Sequence, residues 1–461
     1  MKPRPAVGDL ALARRAAWAA MCATLVALGG EASAGEPGSA QIEQARPVAS
    51  ALRYDQEYPV IGYSRTPVDN AIARLQERLD RGEVELEFKP TRGYFDSLLA
   101  ALDIDPSSQI LVYSKTSLQF LKIRARTPRA IYFNDDTYVA YVQDSDLIEI
   151  GVMDRTLGPV FYGLDNRRVA APRFEREMSR CLTCHDRFSM TGGGVPLFKV
   201  LSVLVDVNGQ ALSGGSSIMV TDRSPIERRW GGWYVTGRHG SQTHLGNILV
   251  NDPSEAQDLE QVRRGNLDTL DGLFDTRPYL TNTSDIVALM VFEHQTTVQN
   301  LITRINFKAR TFVANDARSG RWEDVSPKTR TLVQKMTEPL VQAMLFVGAA
   351  PLEDRFESTS GYDRWFEARG PRDTAGRSLR ELELETRLFK YPMSYMVYSE
   401  AFDGLPDYAK AFIYERFLQI LSGQDESAAY AHLSSGDRQA ILEILTATKP
   451  DFAEFAARAA G

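Results

Sequence analysis

The sequence predicts an α+β protein, with a β-rich N-terminal half and a helical C-terminal half. Three observations carry that expectation. Between Gln109 and Asp165 the chain runs through QILVYS, AIYFND, TYVAYVQ, LIEIGVMD and GPVFYGL, alternating or β-branched and aromatic segments separated by turn-formers such as Asn134-Asp135-Asp136. From Ser284 onward the apolar residues recur three and four apart, the spacing of helices. Between the two halves lies a short segment with the only two cysteines beyond residue 34, and it reads as a helix.

Taken in order, Lys2, Arg4, Arg14 and Arg15 precede an apolar stretch, Ala16 to Leu28, that ends near Ala32-Ser33-Ala34. A basic start, a short apolar middle and small residues at the end read as a signal peptide over residues 1–34. The apolar run is too short for an anchor and is broken by Gly29, Gly30 and Glu31. Removing it takes away four basic and two acidic groups and moves the net charge from -7 to -9. That acidity argues against nucleic acid as a partner. The longest other apolar run, around Leu340 to Leu352, is interrupted by Gln342, so no membrane span is expected after cleavage and the chain is expected to be periplasmic or secreted.

A polar linker, residues 35–52, leads into a mixed region, 53–170. There Thr66-Pro67-Val68-Asp69 looks like a capped, proline-initiated helix start, and Val68, Ile72, Leu75 and Leu79 give one apolar face before a mostly antiparallel sheet. Residues 171–265 are expected to hold the cysteine-bearing helix, a Gly-rich loop at Thr191 to Pro196, and strands that include a hairpin turning at Asn208-Gly209. Residues 266–461 are expected to be helical, with segments at Ser284 to Ile305, Pro327 to Phe346 behind a Ser326 cap, Leu405 to Leu421 and Asp437 to Thr446.

The chemistry is concentrated in Cys181-Leu182-Thr183-Cys184-His185. From Pro172 the chain reads PRFEREMSRCLTCH, and Phe174, Met178, Cys181 and His185 at helical spacing put both thiols and the imidazole on one face. Two thiols so placed can each add to a vinyl group of one porphyrin while the histidine binds its iron. A thiol-disulfide switch would follow a βαβ pattern, which is missing here, and structural zinc would need a second cysteine pair. A plain disulfide also suits an oxidising compartment.

The pentapeptide resembles the haem-attachment signature of the c-type cytochromes, which implies one covalent haem c held by Cys181 and Cys184, with His185 as the proximal ligand. The chain departs from small cytochrome c domains in its length, and from dihaem peroxidases in having one such motif. Trp230 to Asn247 and Tyr391 to Pro406 are similar to stretches of large, secreted, single-haem bacterial proteins of unassigned activity.

What sits opposite the iron decides the chemistry. His294 shares the stripe of Val287, Met290, Val291, Val298, Leu301 and Ile305 and should point inward, either as a core residue or as a distal ligand. His239 and His244, in a Gly-rich loop, are the other candidates, whereas His432 is expected to be exposed and Met190, Met393 and Met396 are weaker choices. A six-coordinate iron would make the chain a periplasmic monohaem electron-transfer protein serving an exported redox partner. An open sixth position would instead make it a peroxidase- or oxygenase-type enzyme acting on a small-molecule oxidant or substrate, with Glu293 or His294 in acid-base roles and Arg238 or Arg304 stabilising negative charge. Arg180, Arg187, Arg228 and Arg229 are near enough in sequence to meet the haem propionates. A gas sensor lacks an output domain, and a separate metal on His239, His244 and His294 has no spacing signature.

Overall fold

The computed structural model describes residues 55–186, 194–212, 217–250, 265–317 and 319–460. Each of the five β-rich runs becomes a strand: β1 (Ile110–Val112), β2 (Arg129–Phe133), β3 (Thr137–Tyr141), β4 (Leu147–Asp154) and β5 (Gly158–Asp165). They pair in sequence as an antiparallel meander. β6 (Phe174–Arg176) adds to the β5 edge, and a late strand, Trp233–Tyr234, closes the other edge beside β1. Between these, β7 (Leu201–Val203) and β8 (Ser217–Met219) form a separate ribbon; in chain order the Trp233–Tyr234 strand is β9.

The hairpin expected at Asn208-Gly209 is present. Val205 bridges Ala211, and Gly209 takes φ 77° at the turn. Only glycine serves there, because a Cβ would stand 2.2 Å from the Tyr113 carbonyl oxygen.

The helices are α1 (Ala71–Asp80), α2 (Phe95–Ala101), the single turn α3 (Leu182–His185), α4 (Ile286–Asp316), α5 (Pro327–Met344), α6 (Tyr362–Glu367), α7 (Glu400–Asp403), α8 (Asp407–Leu421), α9 (Ser435–Thr448) and α10 (Pro450–Ala460). The fold is thus α+β, with the sheet in the first half and helices in the second. Ser326 caps α5 as the sequence indicates, its hydroxyl accepting the Thr329 N–H at 3.3 Å. The start of α1 differs from expectation. Asn70, not Thr66, is the cap, accepting from Ala73 N at 3.0 Å, while its amide reaches Asp154 on β4 at 3.2 Å. A side chain that serves the helix end and the sheet together satisfies more buried polar groups than Thr66 could.

α4 is the central beam. It crosses the sheet so closely that a Cβ at Gly158 on β5 would meet the Thr303 side chain at 2.2 Å, and α5 packs against it as well. Enclosed this way, α4 buries polar residues as well as apolar ones, and they find partners. Gln295 donates to the Asn134 carbonyl at 2.9 Å and to the Tyr138 hydroxyl at 2.6 Å, and Gln299 donates to the Asp135 carbonyl at 2.9 Å. Residues from Leu52 onward form one compact unit, and one hydrophobic core runs from Ile61 to Phe452 through sheet and helices alike.

The cysteine-bearing helix is a correction. Its helical spacing reaches back to Phe174, but Phe174, Glu175 and Arg176 pair as β6 with Leu164, Gly163 and Tyr162. Helix remains only from Leu182 to His185. An open sheet edge offered backbone partners to the earlier residues, and those bonds outweighed a weak amphipathic pattern.

Candidate haem-attachment site

The site is built where the chain leaves the sheet edge. Glu177 N donates to the Phe161 carbonyl at 2.9 Å, and the one-turn helix then closes with His185 N on the Cys181 carbonyl at 3.0 Å. Cys181, Cys184 and His185 therefore occupy a single turn, and both thiols are free. The two thiols are not alike. Cys184 is exposed, whereas Cys181 is half-buried and its thiol is pushed up to about 12, first by burial and then by the charges of Glu149 and Glu177. Such a thiol is a poor nucleophile at neutral pH, which counts against a thiol-exchange pair.

His185 is held from two sides. Its carbonyl accepts the Leu197 N–H at 2.9 Å, and its ring Nδ1 donates to the Leu197 carbonyl at 2.8 Å. A carbonyl only accepts, so the neutral ring carries its proton on Nδ1 and its lone pair on Nε2. Nε2 makes no hydrogen bond among the described residues. Burial lowers the imidazole pKa to about 4, and nearby Lys199 and Arg129 lower it further against the opposing Leu197 bond. The Phe161 ring lies 4.5 Å away at 40° and limits rotation of the imidazole. An unprotonated, oriented imidazole with a spare Nε2, one turn from two thiols, is the donor set a covalently attached haem needs.

The surroundings fit the same group. Ser117 donates to Glu149 at 3.0 Å, and that loop carries exposed Leu118, Phe120 and Leu121, the last 72% exposed. Large apolar side chains left in water form a surface that an apolar body would cover. Arg129, 3.4 Å from Glu149, is a cation close enough to act on His185 that sequence reasoning missed; it lies far from the motif in the chain and only the sheet brings it there. Of the arginines proposed for propionates, Arg180 pairs with Glu177, and Arg229 is committed elsewhere, to Glu293 at 2.9 Å. Arg187, Met190 and residues 191–193 of the Gly-rich loop lie outside the described residues. The end of that loop does lead directly to Leu197.

None of the candidate sixth-position histidines is brought to His185 among the described contacts. His294 is fully buried on α4, as its stripe implies, but Nδ1 bonds Asp222 Oδ2 at 2.9 Å and Nε2 bonds Ser394 Oγ at 2.7 Å. With both nitrogens engaged it has none to offer a metal. His239 and His244 are buried with rings 4.6 Å apart, beside Phe356 and Trp230. His239 donates from Nδ1 to the Gln242 carbonyl, and His244 Nδ1 accepts the Gly246 N–H at 2.9 Å. No group of three or more His, Cys, Asp or Glu side chains gathers as a metal site among the described residues, so His239, His244 and His294 do not form one. His432 is exposed, and Met393 and Met396 are core residues.

Glu293 and Arg238 are also placed away from acid-base duty at this site. Glu293 accepts from Arg229 and from Trp230 Nε1 at 2.7 Å, and Arg238 pairs with Asp268 at 3.0 Å. No helix among the described residues is long and apolar enough to cross a membrane. Comparison of the chain with protein-family models, with curated proteins and with solved structures finds no match.

Proposed function

We propose that the chain is an exported, periplasmic or secreted monohaem protein of the c-type cytochrome kind, with Cys181 and Cys184 holding one haem c by thioether bonds and His185 as its proximal ligand. The observation that carries the proposal is the His185 imidazole, fixed through Nδ1 on the Leu197 carbonyl at 2.8 Å with Nε2 left over, in the same turn as both thiols. When bound, the haem supplies a redox-active iron. The protein's part is then definite. The Leu197 carbonyl orients the ring and raises the basicity of Nε2, burial keeps it unprotonated, and Phe161 restrains its plane. Arg129 and Lys199 are cations close enough to act on His185, and would be the residues to meet the propionates of a bound porphyrin.

The chain would transfer electrons to an exported redox partner if a sixth ligand is supplied, and would act on a small oxidant or substrate as a peroxidase- or oxygenase-type enzyme if it is not. The engagement of both His294 ring nitrogens, with Asp222 and Ser394, favours the enzyme.

Expression with a c-type maturation system tests the proposal. The wild-type chain should keep haem stain through denaturing electrophoresis, and the Cys181→Ala, Cys184→Ala double variant should lose it. Covalent haem retained by the double variant would overturn the attachment site. A high-spin ferric spectrum would support the open iron, and a low-spin spectrum that one histidine variant converts to high-spin would return the chain to electron transfer.

A further inference from the structure

A cleft of about 500 Å³ opens where Asp222 and Ile226, the turn after α5 and residues 386–392 meet. Its walls are largely apolar, with Ile226, Met290, Leu352, Phe346 and Phe389 among them. The Phe346 and Phe389 rings are 5.3 Å apart at 49°, and behind them His294 stacks on Phe346 at 4.4 Å and 21°.

A relay of hydrogen bonds ends in this cleft. Ser394 Oγ accepts the Met396 N–H at 3.2 Å and donates to His294 Nε2 at 2.7 Å, and His294 Nδ1 donates to Asp222 Oδ2 at 2.9 Å. The residue types are those of a nucleophilic Ser-His-Asp triad, but the order of exposure is reversed. Ser394 has no exposed surface, whereas Asp222 lines the cleft with its side chain 13% exposed. A serine that no substrate reaches is not a nucleophile; the group presented to a ligand is the carboxylate, a hydrogen-bond acceptor braced by a buried histidine.

The charges around the cleft narrow the ligand class. Arg229 is matched by Glu293 and Arg387 by Asp437, at 2.9 Å each. Arg223, next to Asp222 in the chain, donates to the Val347 carbonyl at 3.0 Å and to Gln342 Oε1 at 3.1 Å, and His432 donates to the Leu345 carbonyl at 2.7 Å. A cationic ligand would meet the guanidinium groups of Arg229 and Arg387 in the cleft wall, and an anionic one would meet Asp222. A neutral hydrogen-bond donor on a flat apolar body meets neither penalty, and it matches both the aromatic walls and the carboxylate.

We propose that this cleft binds a phenol, with its ring against Phe346 and Phe389 and its hydroxyl donating to Asp222. The site is independent of what Cys181 and Cys184 hold.

Titration calorimetry on the purified full chain tests it with four probes of one shape: 4-methylphenol, 4-methylanisole, 4-methylbenzylammonium and 4-methylbenzoate. The phenol should bind one to one, about tenfold or more tighter than the anisole, which lacks the donor, and tighter than either ion. Asp222→Asn should shrink the preference for phenol over anisole. Ala349→Trp, which fills the cleft from its partly exposed rim, should abolish binding while leaving the circular dichroism unchanged. Equal binding of phenol and anisole, tighter binding of either ion, absence of phenol binding, or full binding by Ala349→Trp would each overturn the proposal.

Discussion

Replacing Glu293 with glutamine should alter how stability depends on pH, by an amount that follows from its surroundings. The carboxyl is fully buried on α4, 2.9 Å from Arg229 and 2.7 Å from Trp230 Nε1. Burial raises its pKa from the ordinary 4.5 to about 7, outweighing the lowering effects of Arg229 and Trp230, and the charge of Asp222 adds to the rise. Between those two values the unfolded chain has lost the proton and the folded chain keeps it. Stability must therefore fall as pH rises through that interval and level off above it. From 4.5 to about 7, at about 1.36 kcal/mol per pH unit, the fall is about 3 kcal/mol. Glutamine has the shape of the protonated acid, still accepts from Trp230 and does not titrate. The variant should thus stand closest to its full deficit at pH 5 and gain about 3 kcal/mol on the wild type by pH 8. Groups that do not interact with Glu293 titrate alike in both proteins and cancel from the difference. Urea unfolding of the two proteins from pH 5 to pH 8, followed by tryptophan fluorescence, measures it. A difference that stays flat, or that moves in favour of the wild type as pH rises, would refute the reasoning and show that attraction to Arg229 outweighs burial.

Other expectations follow from single contacts. With haem attached, His294→Gln should leave the iron spin state unchanged, since both ring nitrogens are spent on Asp222 and Ser394; a change of spin state would put His294 at the iron. In haem-free protein, iodoacetamide should label exposed Cys184 well before Cys181, whose thiol is pushed up to about 12, and equal rates by mass spectrometry would contradict that burial. Gly209→Ala forces a Cβ to 2.2 Å from the Tyr113 carbonyl oxygen at φ 77°, so a cost of about 2 kcal/mol or more is expected, and an unchanged melting temperature would refute it. Asn70→Ala should cost about 2 kcal/mol by urea unfolding, about 1 kcal/mol from the lost helix cap and the rest from the lost amide bond to buried Asp154, and an unchanged stability would refute both roles.

Local chemistry is what the sequence by itself determined. Alternation in LIEIGVMD, where a pleated chain turns every second side chain to one face, and the β-branched and aromatic run in GPVFYGL are enough to make neighbouring strands. Ser326-Pro327 marks a helix start because the hydroxyl and the fixed proline angle act within one turn. The Cys181 to His185 pentapeptide is legible for the same reason, since its thiols and imidazole meet within five residues.

What only the tertiary structure decided depends on residues far apart in the chain. Phe174 to Arg176 have the spacing of a helix and become a strand because β5 offered an open edge. His294 could be read as an iron ligand until Asp222 and Ser394, 72 and 100 residues away, claim its two nitrogens. The tautomer of His185 rests on the Leu197 carbonyl, a backbone group that no side-chain pattern reveals. Periodicity describes which face of an element turns inward; it carries no information about which distant polar group waits there, and in this chain such groups set the chemistry of His294.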